Sequence, residues 1–176
     1  MLIYLKNALA KFIDFVGLLV SLSVLLLLGT IFYNVIMRYL FNDVDIGYQE
    51  LEWHLFSCMF LFGIGYSLKE NTHVRVDVIY ENLGIKAQAW INLIGTLVLL
   101  IPICILVIYY GYDFTKEAFE MNEMSGDPGG LTHRWIIKAA IPASFVFTVL
   151  CGCYVMLEQL VIITNKTTPN PTQPQA

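Results

Sequence analysis

The chain has 176 residues, of which 57% are apolar and 14% charged, with a mean hydropathy of +0.67 and a formal net charge of −4 at pH 7. Soluble domains carry roughly 25% charged residues, and a soluble fold of this size could not hide so much apolar surface. Lipid must therefore be the solvent for much of the chain, and no nucleic-acid partner is expected.

The first fourteen residues read as an amphipathic lead-in, with Leu5, Leu9, Phe12 and Phe15 roughly on one face beside Lys6 and Lys11. The apolar run that follows is too long for a cleaved signal segment and no small-residue cleavage site closes it, so it is expected to stay as a first span. Four segments lack Asp, Glu, Lys and Arg altogether: Phe15–Met37, Trp53–Leu68, Ala87–Tyr112 and Ala139–Leu157. A hydrocarbon core of about 30 Å takes about 20 helical residues. The second segment is the shortest, and spans only with Glu50 or Glu52 and Lys69 at its interfaces.

The reading is an all-α integral membrane domain over residues 1–164. It has four transmembrane helices, at about 15–37, 51–69, 87–112 and 135–160, plus interfacial and projecting helical segments. Arg38 and Tyr39 close the first span as an interfacial pair, and an acidic loop leads to Glu50, Glu52 and Trp53. Antiparallel neighbours joined by so short a loop would bring Arg38 near Glu50 or Glu52, either as a salt bridge fixing the hairpin or with one carboxylate left for a partner subunit. After Lys69, Val74, Val76 and Val78 alternate with Arg75 and Asp77. Period two suggests a strand, but a lone strand beside a bilayer leaves its edge unbonded, so an interfacial helix with Val74, Val78 and Leu83 toward lipid is expected instead.

The third span is expected to project past Tyr112 as far as Ser125, with Phe114, Ala118 and Met121 on one face and Asp113, Lys116, Glu117 and Glu120 on the other. Gly126-Asp127-Pro128-Gly129-Gly130 ends it. Thr132 is the expected N-cap of the fourth span, which Trp135 and Lys138 seat at the headgroups. Residues 165–176 (NKTTPNPTQPQA) read as a disordered tail.

Charge sets the orientation. With the N-terminus inside, Lys6, Lys11, Lys69, Arg75, Lys86 and Lys166 are inner, while Arg38, Lys116, Arg134 and Lys138 are outer. The positive-inside rule favours this arrangement, placing both termini in the cytoplasm.

The glycine-rich stretch before Arg134 is no phosphate loop, because Lys138 lies too far from the last glycine, no strand precedes it and no Ser or Thr follows. Cys58, Cys104, Cys151 and Cys153 all fall inside spans rather than in the aqueous loops that a disulfide framework or zinc site wants, and Cys151-Gly-Cys153 reads as small-residue packing. His54, His73 and His133 sit at span ends or in loops, unsuited to ligating haem between helices. A self-contained homodimeric four-helix exporter would need an ionisable group near mid-membrane, and none is present; Asn34, Asn92 and Ser21 read as helix–helix hydrogen-bonding groups. No enzyme activity, cofactor or metal is expected.

Several stretches together resemble the small membrane subunit of tripartite ATP-independent periplasmic (TRAP) transporters, the DctQ-like family. They are Arg38-Tyr39-Leu40-Phe41, Gln49-Glu50-Leu51, Gly63 and Gly65, His73-Val74-Arg75-Val76-Asp77, and Glu123 through Ser125, Asp127, Pro128, Gly129 and Gly130 to Leu131, followed by Arg134, Trp135 and Lys138. Thr132 departs from the usual proline after Gly-Leu. The resemblance implies a four-span scaffold subunit in a bacterial inner membrane. Its partners would be a much larger sodium-driven transport subunit and a periplasmic binding protein that delivers an organic acid. It also places Arg75 and Asp77 at the cytoplasmic interface with the large subunit or with lipid headgroups.

Overall fold

The computed structural model describes residues 2–72, 80 and 82–164. His73, Arg75 and Asp77, with the expected interfacial segment at Val74–Val78, lie outside the described residues, as does the tail 165–176.

Every element among the described residues is helical: α1 Leu2–Leu40, α2 Ile46–Lys69, α3 Ile85–Gly95, a π-helical turn Thr96–Leu100, α4 Ile101–Glu120 and α5 Trp135–Thr164. Three stretches are long and apolar enough to cross a membrane: Ile3–Leu40, Ile85–Glu120 and Trp135–Thr164. The helix α2, whose apolar run is broken by Glu52 and His54, is not among them. The expected lead-in and first span are one helix of 39 residues, about 58 Å long at about 1.5 Å per residue.

The π turn stands directly before Pro102, which has no N–H to donate and whose ring crowds the carbonyl one turn back. Widening the ladder there, with the N–H of Ile101 on the carbonyl of Thr96, carries α3 into α4 without a break. The helix α4 ends at Glu120, short of the expected Ser125. Asn122 takes a left-handed conformation (φ 47°), and the N–H of Glu123 reaches back to the carbonyl of Ala118 at 3.0 Å, a Schellman closure. Met121 consequently lies beyond the helix and is exposed, whereas Ala118 is buried and Asp113, Lys116, Glu117 and Glu120 face outward as expected. Thr132 is not the cap of α5. Its hydroxyl meets Nδ1 of His133 at 2.8 Å, and α5 starts at Trp135 after a left-handed His133 (φ 63°).

The helix α5 is the centre of the bundle, packing against α1, α2, α3 and α4. Its Phe147, Cys151 and Tyr154 form a buried core with Ile13 of α1, flanked by Phe62 and Tyr66 of α2. All four cysteines are free. Glycine allows close approach where helices cross: Gly17 of α1 lies under the ring of Tyr66, Gly65 of α2 under Phe147, Gly111 of α4 under the ring of Pro142, and Gly152 of α5 beside Leu100.

The ends of the bundle are pinned by polar pairs. At the end holding the N-terminus, called here the terminal end, Lys69 bonds Asp14 and sits 3.3 Å from Glu70, and Lys6 bonds Glu158 at 3.1 Å. The opposite end carries the α1–α2 and α4–α5 connections and is called the loop end.

Candidate functional site at the loop end

Asp45 starts α2, its carboxylate accepting from the N–H of Gly47 at 2.7 Å. One turn further in, Glu50 and Glu52 point to different neighbours. Glu52 accepts from Nδ2 of Asn34, a buried residue of α1, at 3.1 Å. Glu50 reaches across to the α4–α5 loop, where its carboxylate accepts from the hydroxyl of Ser125 and, at 2.6 Å, from the N–H of Leu131. The expected pairing of Arg38 with one of these carboxylates does not form. Arg38 is exposed, and among the described residues no ion pair within 4 Å involves it. The physical reason is that Glu50 and Glu52 are already met by neutral donors, while Arg38 can stay hydrated. Tyr39 beside it is exposed too, as suits an interfacial aromatic.

The loop is closed on itself. The N–H of Ser125 bonds the carbonyl of Leu131 at 3.1 Å, that of Gly130 bonds Asp127 at 3.0 Å, and that of Arg134 bonds Glu123 at 3.1 Å. Gly129 has φ 86°, a conformation that favours glycine. A Cβ on Gly130 would stand 2.5 Å from the side chain of Ser125 and 3.0 Å from the Glu50 carboxylate. Gly47 is likewise close to the loop, 3.4 Å from the carbonyl of Gly129 by the same measure. Asp127 and Pro128 stay exposed on the far side.

Behind the loop, Glu123 pairs with Lys138, whose ammonium also sits 4.0 Å from the ring centroid of Phe114. Phe119 meets Trp135 edge to face at 5.3 Å. The Glu50 carboxyl is held below its ordinary value, first by the Ser125 hydroxyl, then by the Leu131 N–H, and more weakly by Arg134 and His54. His54 donates from Nδ1 to the carbonyl of Glu50, tying together the second turn of α2.

Glu50, Glu123, Ser125, Asp127, Gly129, Gly130, Arg134 and Lys138 are thus brought together, and Glu52 and Arg38 are not part of that cluster. The contributions of the Leu131 N–H, Gly47, His54 and Phe114 escape sequence reading. A backbone donor carries no residue signature, and Gly47 would have been noticeable only as a small residue opposite a glycine-rich loop. Of the polar candidates, Asn34 bonds between helices, Asn92 bonds the Tyr80 hydroxyl at 2.8 Å, and Ser21 bonds its own helix at Gly17.

A mostly apolar bundle with membrane-length helices, polar pairs at both ends and a fastened connecting loop is a helical membrane protein. The chain belongs to the family of tripartite ATP-independent periplasmic transporters, DctQ component, which it matches over residues 27–161. It is also similar to a protein of Haemophilus influenzae whose name assigns it to the TRAP transporter small permeases. The two are 30% identical over 144 residues, covering 81% of this chain and 89% of that protein.

Proposed function

We propose that this chain is the small, non-catalytic membrane subunit of a sodium-driven TRAP transporter for organic acids, packed in the inner membrane beside a much larger transport subunit as a scaffold. The observation that carries the reading is membership of the family, joined to the bareness of α1. That helix leaves Leu18, Leu22, Leu25, Leu28 and Phe32 exposed along its length, an apolar flank fit for lipid and for a large partner's helices. The transport domain of that partner would then move against something that stays still.

Four spans are supported by the polar pairs, although α2 is the least apolar helix. Its Glu50 is level with the loop beyond α4, and its Lys69 is level with Asp14 of α1, so α2 covers the same depth as its neighbours. The exposed aromatics Trp90 and Tyr110 stand about 30 Å apart along α3 and α4, the thickness of a hydrocarbon core. With both termini cytoplasmic, the loop end is periplasmic. Its exposed Asp43, Asp45, Asp113, Glu117, Glu120 and Asp127 would meet basic groups on the binding protein.

Purification from the native membrane in mild detergent tests the scaffold reading. A large polytopic partner at one-to-one stoichiometry is expected; recovery of the chain alone or as a homo-oligomer would overturn it and point to a self-contained exporter. For docking, reversing the charges of Glu117, Glu120 and Asp127 together should weaken capture of the binding protein. Unchanged capture and uptake would remove that part of the reading.

A further inference from the structure

The loop joining α4 and α5 is held more firmly than joining two helices requires. Phe119 on Trp135 and the Glu123–Lys138 pair already close that hairpin. The segment beyond them nevertheless has its own bonds, and one anchor comes from outside the hairpin: the carboxylate of Glu50, with one oxygen on Ser125 and the other on the Leu131 N–H. Gly47 and Gly130 keep the space this needs. The opposite edge of the segment, residues 126–129, is exposed. An exposed segment clamped through a third helix offers one conformation to a partner, which lowers the ordering cost of binding.

We propose that Glu50 is a positioning residue: its carboxylate holds the 126–131 segment in the conformation that the soluble binding protein meets, and so acts on delivery through the loop without touching substrate or ion. This rests on docking of the binding protein at the loop end. Glutamine at this position can still accept from the Leu131 N–H and donate its Nε2 to the Ser125 hydroxyl, but it exchanges charge-assisted bonds for weaker neutral ones, and Ser125→Ala removes one donor while leaving the carboxylate.

The test uses the whole transporter, this chain with its large subunit in proteoliposomes and the binding protein outside. Hydrogen exchange is followed at the Leu131 amide, and uptake is measured against binding-protein concentration. Glu50→Gln should speed Leu131 exchange at least about fivefold without loss of the large subunit, and Ser125→Ala should do so to a smaller degree. Both should slow uptake at limiting binding protein far more than at saturating binding protein. Unchanged exchange, or faster exchange with uptake slowed equally at every concentration, overturns the positioning role. Asp127→Lys, outside the Glu50 bonds, separates the two ideas. If it shifts the concentration dependence and Glu50→Gln does not, docking stands and positioning falls. If neither shifts it while Leu131 exchange is faster, docking itself fails and positioning with it.

Discussion

A carboxylate at the mouth of a helix hairpin can be balanced by a cation or by neutral donors, and Glu50 takes the second course. Charge-assisted bonds to a hydroxyl and a backbone N–H favour the ionised form, so the carboxyl protonates only below its ordinary value of 4.5. A group whose folded value is depressed adds stability above its unfolded value and loses it as pH falls through the folded one. The protection factor of the Leu131 amide is therefore expected to stay level from pH 7 to pH 5 and to drop only below 4.5. A drop already complete at pH 5 would show that the carboxylate is not held this way. The same chemistry explains why Arg38 is left outside the cluster. Sequence reading pairs the nearest opposite charges, whereas the donor to Glu50 lies 81 residues away and belongs to the backbone. The Glu123–Lys138 pair, by contrast, joins two residues whose roles the sequence assigned separately.

Among the elements, glycines that look alike in sequence do different work. Gly63 and Gly65 both lie in α2, and both belong to the pattern that marks the family resemblance. A Cβ on Gly65 would come within 2.8 Å of the Phe147 ring, whereas one on Gly63 would meet nothing within 4 Å. Gly65→Ala should therefore lower the stability of the detergent-solubilised protein by about 1–3 kcal/mol, the usual cost of overpacking. Gly63→Ala should be neutral or mildly stabilising, since alanine is the better helix former by about 1 kcal/mol. Thermal unfolding of the two variants side by side checks this, and equal effects would contradict the packing of α2 on α5. The helix ends were partly legible. Proline and glycine place the end of the projecting helix at Ser125, but the helix ends at Glu120 and the left-handed stop falls at Asn122. Asparagine also takes the left-handed position after α1 and α2, at Asn42 and Asn71. Asparagine is the second choice after glycine there, so its use as a stop signal is easily overlooked beside an obvious Pro-Gly turn.

For the whole molecule, the sequence announced a helical membrane chain and the ends of its apolar stretches, because period and hydrophobicity are local properties. The depth covered by α2 is a tertiary property, and it decides the topology. If α2 crosses, the connection after it and the α4–α5 loop lie on opposite sides; with the N-terminus inside, Asn71 is cytoplasmic and Asp127 periplasmic. If α2 does not cross, α3 and α4 run the other way, which puts Asn71 outside and Asp127 inside. The pairing of Lys69 with Asp14 and of Glu50 with Leu131 would then require a helix left on the outer face to meet, at both of its ends, groups on the inner face. A membrane-impermeant maleimide separates the cases in intact spheroplasts, using Asn71→Cys and Asp127→Cys in a background with Cys58, Cys104, Cys151 and Cys153 replaced by alanine. Labelling at 127 with protection at 71 is expected. The reverse pattern would remove the cytoplasmic tail and the periplasmic placement of the Glu50 loop together, and, with the N-terminus inside, the fourth span as well.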